Sequence, residues 1–417
     1  MAIFSFPTRG PDVIGALDIG TSKVCCLIAR LDRGAPQLLG LGHQRSRGLK
    51  SGMIVDAEEA EKAVRAAVGQ AERMAGVSLD SISLAVSCGR LRSASFAARA
   101  ALEGPVVAEA DIDRILAAGE AYLDRAGRTI VQMMQSAWRL DSAGGIPDPR
   151  GLAGRELAID LTAVTADDGP VRNLLGVVER SHMRAARLVA APYASAIAVS
   201  TEEERRLGAL VVDMGGGLTS FAAFGHGRLL HADSVPVGGN HVTFDLAREL
   251  VTTVPEAERI KTLYGTLVRA ASNESEIFSY PVAGDEPGAL HQASKALVRE
   301  IAAPRIDGLI DLLLERLAAA GLAELARRRV VLTGGASQLL GLDQVWNGRL
   351  GATARIGRPQ PIGRMPEGVC GPAFATVTGL ARIAAEPAIV PGNARGAGPA
   401  RDRGYLDRVQ RWMSESF

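Results

Sequence analysis

Hydrophobic positions along this chain fall into two rhythms, and the alternation between them sketches a fold. Near the start, VIGALDIGTSK and VCCLIARL (13–31) are almost continuous apolar runs split by a Gly/Thr/Ser turn, which predicts strand, turn, strand. From Glu58 to Ala75 the spacing turns helical, with Ala63, Val64, Ala67, Val68 and Ala71 on one side and charges on the other. SISLAVS (81–87) reads as a strand. Between about 88 and 163 the texture mixes strand-like pieces, a helical stretch from Ala110 to Ala126 and the turn-rich SAGGIPDPRGLAG, ending in the strand ELAIDLTAVTA (156–166). That mixture predicts a small α+β insertion.

Val171–Met183 and Ala191–Val199 are predicted helices, and residues 207–239 read as three strands joined by tight turns. Leu188 to Val199 is the most apolar segment, short and broken by Pro192 and Ser195. Helical spacing returns over Asn240–Leu250 and Glu256–Tyr264, and a polar stretch (269–290) carries short strands. Ser294–Ala320 predicts a long helix, interrupted or kinked near Pro304. ARRRVVLTGGASQLLGL (326–342) reads as strand, glycine turn, helix, and Val369–Ala385 as the last helix of the body.

The end of the chain is different. Residues 386–404 hold three Pro and four Gly, the composition of a flexible linker. On a helical wheel of about 100° per residue, Tyr405, Leu406, Val409, Trp412, Met413 and Phe417 share one arc of roughly 140°, interrupted only by Ser416. Asp407, Arg408, Gln410, Arg411, Ser414 and Glu415 take the other side. Large apolar residues opposite Arg predict a helix lying in a membrane interface, with Leu406, Val409, Trp412, Met413 and Phe417 in the lipid. The competing reading is a helix docked on its own domain, which has little use for so loose a tether.

Composition narrows the function classes. The 417 residues are 47% hydrophobic and carry 47 basic against 46 acidic side chains. That describes a globular chain long enough for several domains, without the basic excess of a general nucleic-acid binder. Cys25, Cys26, Cys88 and Cys370 have no metal-ligand spacing, and the adjacent pair faces opposite sides of any strand. They read as free thiols of a reducing compartment. The start, MAIFSFPTRGPD, lacks the pattern of a secretory signal, and no run of about 18 uncharged apolar residues predicts a membrane span.

The candidate chemistry lies in two segments of one design. VIGALDIGTSKVCCLIA and LVVDMGGGLTSFAAF both run apolar strand, Asp, one residue, Gly-containing turn, apolar strand, with the acids at Asp18 and Asp213. Glycines at such turns let backbone N–H groups surround phosphate oxygens. Thr21, Ser22 and Thr219 add hydroxyls, Lys23 adds charge, and an Asp at the strand end holds hydrated Mg²⁺. Either loop alone fits an ordinary glycine hairpin with a solvated Asp equally well. A third element, Gly334-Gly335 between strand and helix, leaves room for a base or ribose, and Gly238-Gly239 adds a further turn. The ordered set is far more specific than any member, and its internal echo predicts two similar lobes facing each other.

With these motifs the chain resembles the actin, sugar-kinase and Hsp70 ATPase superfamily, with APYASAIA (191–198) and GPAFATVTGLA (371–381) similar to its connecting helices. Within it the chain resembles the FtsA family of bacterial cell-division actin homologues. SRGLKSGMIVD (46–56), the insertion, VPVGGNHVTFDLA (235–247), AERIK (257–261) and the terminal amphipathic helix carry that resemblance over nearly the whole chain. It implies an actin-like two-lobed α/β fold with an inserted α+β subdomain and a C-terminal amphipathic helix. The first lobe spans 12–82 and 164–203, the insertion 83–163, and the second lobe 204–235 and 301–385 with a small subdomain at 236–300. By resemblance Asp18 and Asp213 hold the metal through water. Gly20, Thr21, Ser22 and Lys23, then Gly215, Gly216, Gly217 and Thr219, then Gly238, Gly239 and Asn240 contact phosphates. Glu258 and Lys261, otherwise a solvated helix face, lie near ribose and adenine, and Gly334, Gly335, Ser337 and Gln338 form the adenosine site.

The implied function is ATP- and Mg²⁺-dependent. The family polymerises, binds the FtsZ C-terminal tail through the 236–300 subdomain, anchors the FtsZ ring to inner-membrane lipids at the cytoplasmic side of the septum, and recruits later division proteins. Nucleic acid is not an implied partner. Basic Arg259, Lys261 and Arg269 are available for an acidic tail. One departure stands out: many relatives carry Thr and Asp where this chain has Leu218 and Ser220, so ATP binding with weak or negligible turnover is expected. The alternatives are a pilus-assembly-type actin-like scaffold and a sugar or acid kinase, both of which leave the terminal helix without a role.

Overall fold

The computed structural model of the protein describes residues 13–124, 127–286 and 288–385. The expected linker at 386–404 and terminal helix at 405–417 lie outside the described residues. Two five-stranded sheets form the body, and they are built alike. The first orders its strands Arg184–Ala190, Ser81–Val86, Val13–Ile19, Lys23–Asp32, Ala35–Arg45. The second orders Thr353–Ile356, Arg329–Thr333, Ala209–Met214, Thr219–Gly225, Arg228–Val235. In each, the first three strands are parallel and the last two join antiparallel.

The central strand of each sheet is covered on both faces, which is why Val13–Ile19 and Ala209–Met214 read as nearly unbroken apolar runs. Alternation assigns the faces. Cys26 packs with helix Ala57–Ala75, while Cys25 packs with helices Ala191–Val199 and Ala375–Ala385. Burial pushes the Cys25 thiol up to about 12, so it behaves as a small core hydrophobe. Helix Ala57–Ala75 starts where the Asp56 carboxylate accepts the N–H groups of Glu58 and Glu59, and stops at left-handed Gly76.

Helices Ala191–Val199 and Ala375–Ala385 cross between the sheets. They approach so closely that a Cβ on Gly379 would lie 1.7 Å from the carbonyl oxygen of Ala194. The last helix begins at Ala375 rather than at 369, because Pro372 and two short 3₁₀ turns occupy 367–374. The Pro372 carbonyl there accepts the N–H of Gly334 and the hydroxyl of Thr333. Lys295–Ala319 is one uninterrupted helix; Pro304 sits on its exposed side, where a lost backbone bond is tolerated.

The insertion is an antiparallel sheet ordered Arg92–Ala101, Glu156–Asp167, Arg128–Leu140, Ala143–Ile146. Helix Glu109–Asp124 seats Ile112, Ile115 and Leu116 on Leu157, Ile159 and Leu161. The boundary expected at 83 falls inside Ser81–Val86, whose Ser83 and Leu84 pair with Ala16 and Leu17 of the first lobe. The insertion's last strand likewise runs on to Asp167. It touches both lobes: Gln132 Oε1 accepts the N–H of Ala190 (3.2 Å), and Ser93 Oγ bonds both the N–H and the carbonyl of Ala232 (2.6 and 2.8 Å).

Gly379→Ala is expected to cost about 3 kcal/mol or more by forcing the crossing helices apart. Gly348→Ala, on a helix with open space beside it, gains up to about 1 kcal/mol. Urea unfolding of the two variants beside the parent measures both.

Candidate functional site

The two sheets face a cleft of about 590 Å³. Each presents the same hairpin to it. Asp18 is registered opposite Cys25, and Asp213 opposite Ser220. Gly20 N donates to the Lys23 carbonyl (2.9 Å), and Gly215 N donates to the Leu218 carbonyl (3.0 Å). The hairpins also touch tip to tip: a Cβ on Gly216 would lie 1.8 Å from Ser22 Oγ, and one on Gly217 would lie 2.5 Å from Thr21 Oγ1. Glycine at these two positions is therefore a packing requirement as well as an opening for a ligand. The turn at 238–240 closes behind them, with the N–H groups of Gly239 and Asn240 donated to the carbonyls of Gly215 and Gly216 (2.9 and 2.8 Å).

Asp213 is the point where the parts meet. Its Oδ2 accepts the hydroxyl of Ser195, from one connecting helix, and that of Thr376, from the other (3.1 Å). The two hydroxyl oxygens also lie 2.9 Å apart, so the three groups form one compact polar cluster. Gly334, at φ 85°, packs so close that a Cβ would lie 2.3 Å from Asp213 Oδ1. Burial raises the Asp213 pKa against the pull of these hydroxyls. Asp18 is pushed up to about 7, chiefly by burial, with Lys23 lowering it and Asp213 raising it. Burial in turn depresses Lys23 below the ordinary lysine range. Two half-buried carboxylates beside one ammonium make a site in which a cation gains more than in water.

Lys23 is not idle in the cleft. Its Nζ donates to the carbonyl of Ala373 (2.6 Å) and sits 3.4 Å from the centre of the Phe374 ring, so it ties the first hairpin to the segment before the last helix. At the other end, Lys261 Nζ donates to Thr243 Oγ1 (2.8 Å), Glu258 Oε2 (2.7 Å) and the Gly239 carbonyl (3.2 Å). Gly335 and Gln338 complete that end. The long helix supplies Arg305, Ile306 and Leu309 to the wall, Arg305 forked onto Asp245.

Of the nucleotide and metal residues expected from the sequence, all but two line this cleft. The exceptions are Thr219 and Ser337, both buried, whose hydroxyls bond the carbonyls of Val237 and Gly334 at 2.8 Å and brace the turns behind it. Lys261 faces the cleft and Arg259 is forked onto Glu256, so only Arg269 of the three basic residues remains without a described ion pair. Ser195 and Thr376 escaped sequence reasoning; a lone Ser in the most apolar segment was the available signal.

Two sheets of one topology, a crossing helix pair and paired Asp–Gly hairpins across a cleft define a two-lobed actin-like protein. Residues 210–379 match the family model described as "Cell division protein FtsA", and residues 88–165 match "SHS2 domain inserted in FTSA". The chain is 38% identical to the cell division protein FtsA of Rhizobium meliloti, over 99% of this chain and 96% of that one. It therefore belongs to the FtsA family of cell-division proteins. It is 31% identical to the Neisseria meningitidis relative (97% and 98% covered) and 29% to that of Escherichia coli (97% and 98%). Among solved structures, a PilM–PilN type IV pilus biogenesis complex aligns with TM-score 0.62 at 17% identity, covering 90% of this chain and 99% of that one. MreB5 of Spiroplasma citri bound to ADP aligns with TM-score 0.52 at 15% identity (89% and 96%). These two share the fold. No helix among the described residues is long and apolar enough to cross a membrane.

The raised Asp18 pKa has a signed consequence. The fold favours the neutral acid, so this group's stabilising contribution is complete below its unfolded value near 3.8 and is lost as pH rises through about 7. Without nucleotide or divalent cation, Asp18→Asn is expected to melt higher than the parent, by a margin that grows from about pH 5 to pH 8 toward an upper bound of roughly 4 kcal/mol. A pH series of melting temperatures measures it; a constant margin contradicts it.

Proposed function

We propose that this protein binds ATP with Mg²⁺ in the cleft, polymerises as an actin homologue, and anchors the FtsZ ring to the cytoplasmic face of the cell membrane at the division septum, where later division proteins assemble. One observation carries the reading: two Asp–Gly hairpins of identical register face each other across a cleft of about 590 Å³ in a chain of the FtsA family. The volume suits a nucleotide, and the donors suit phosphate: glycine backbone, the Ser22 hydroxyl and the Lys23 ammonium.

In this reading Asp18 and Asp213 hold the metal through water, and its charge offsets the cost of keeping both carboxylates ionised. Gly20–Lys23 and Gly215–Gly217 take the phosphates, with Gly238, Gly239 and Asn240 supporting the second loop from behind. Glu258, Lys261, Gly334, Gly335 and Gln338 form the adenosine end, which Ser337 braces from behind, while Thr219 braces the turn behind the second phosphate loop. Among the described residues the cleft's carboxylates are Asp18, Asp213 and Glu258, the last engaged by Lys261 and Thr243. None is left to orient an attacking water, so hydrolysis is slow and ATP serves assembly more than turnover.

The membrane contact falls to residues 405–417, and weak single-helix binding becomes firm when a polymer presents many copies. The FtsZ tail docks on the 236–300 subdomain. Three measurements test the scheme. Asp213→Ala is expected to weaken ATP binding at least tenfold in titration calorimetry with Mg²⁺. Truncation after residue 404 abolishes co-sedimentation with liposomes of anionic lipid; undiminished binding removes the membrane role. A pull-down with the FtsZ C-terminal peptide retains the full chain, and a null result removes the anchor.

A further inference from the structure

The two cleft hairpins differ at one informative position. Matching them by register makes Leu218 the counterpart of Lys23, since each carbonyl closes its turn onto the corresponding glycine, Gly215 or Gly20. Where the first hairpin carries an ammonium, the second carries an isobutyl group, and that group lines the cleft.

Its neighbour across the gap is a second small hairpin. Leu49–Lys50 and Met53–Ile54 pair through a two-residue turn, Ser51-Gly52, with φ of 47° and 77°. Leu218 Cδ2 lies 2.6 Å from the position a Cβ on Gly52 would take. The N–H of Gly52 donates to Thr21 Oγ1 at 2.9 Å. Thr21 Oγ1 is the same atom that abuts Gly217 of the second loop. Three segments distant in sequence therefore meet at one spot: the 49–54 hairpin, the first loop and the second loop. Ser87, a further cleft-lining residue, places its hydroxyl 3.6 Å from the same Cβ position. Glycine at 52 is the complement of Leu218, because any side chain there displaces the leucine.

We propose that Leu218 and Gly52 form a latch: the leucine seats on the glycine, holds hairpin Leu49–Ile54 against the two loops at the phosphate end of the cleft, and sets how long a nucleotide stays bound. The proposal rests on the reading of the cleft as a nucleotide site. A hydroxyl or carboxylate at 218 would draw water to this edge, whereas an apolar side chain against a glycine Cα excludes it. Leu218 thus acts on the retention of the nucleotide, and on the dryness of its terminal phosphate, through packing alone. It is a positioning residue.

Two readouts on the full chain test the latch. Hydrogen–deuterium exchange without nucleotide reports the contact directly: Leu218→Ala is expected to raise exchange across 49–54 severalfold, with the sheets unchanged. Release of a fluorescent ATP analogue in Mg²⁺, chased with excess ATP, reports its consequence. Leu218→Ala and Gly52→Ala should each speed release at least fivefold, while Leu218→Met stays within twofold of the parent. Far-UV circular dichroism shows that the variants fold. Unchanged exchange at 49–54 in Leu218→Ala overturns the latch. Unchanged release in both alanine variants overturns its role in retention while leaving the nucleotide site standing. A parent chain that binds no ATP analogue overturns the nucleotide reading and with it the retention role, whereas the exchange result still decides whether the contact holds the hairpin.

Discussion

A carboxylate placed where two helices cross governs much of this molecule. Asp213 ends the central strand of the second sheet, and its side chain enters a region with little water. An isolated carboxylate there is costly, so its surroundings must answer it. Ser195 and Thr376 do so from opposite helices, and Gly334 gives up a side chain to let the carboxylate in. The crossing, the strand end and the glycine turn before Gln338 are consequently fixed to one another through a single group. That group is also one of the two acids facing the cleft.

The internal duplication explains how such a site is assembled from unremarkable parts. Each sheet independently forms a strand, an Asp and a glycine hairpin, and neither hairpin alone encloses anything. Brought tip to tip they do, because Gly216 and Gly217 let Ser22 and Thr21 fit against them. The halves are then free to diverge at positions the fold does not need to match. Lys23, within the cleft wall, holds the Ala373 carbonyl and the Phe374 ring, which fastens the first lobe to the approach of the last helix. Its counterpart Leu218 faces the 49–54 hairpin instead.

What the sequence made legible was local. The paired Asp–Gly hairpins, the Gly334-Gly335 turn and helix Ala57–Ala75 announce themselves within a dozen residues, through capping, spacing and apolar runs. Strand Arg184–Ala190 did not, because its Arg-rich first half hides the apolar end that enters the sheet. Long-range partnerships were equally hidden: Ser195 and Thr376 are 181 positions apart and acquire meaning only when their helices cross. Thr219 and Ser337 show the reverse case. A hydroxyl beside a glycine turn resembles a ligand donor, yet both are spent on nearby carbonyls, and no pattern of residue types reveals which way a hydroxyl turns. The start of the insertion was misplaced for a related reason: a strand shared with the first lobe reads no differently from one belonging to the insertion.

The insertion also changes the mechanics of the whole. By chain order it is an outgrowth of the first lobe, leaving after Val86 and returning after Asp167, where helix Asp168–Arg180 rejoins that lobe's core. Yet Gln132 fastens it to Ala190 on one side, and Ser93 grips both backbone groups of Ala232 on the other. Two bodies joined only by a helix crossing form a simple hinge; a third body tied to both turns the hinge into a triangle of supports. Any rotation of the lobes must then either break the Ser93 grip or swing the insertion as a lever. A rotation that kept both contacts would carry the insertion with it, so the lobes are coupled through Gln132 and Ser93 as well as through the crossing helices.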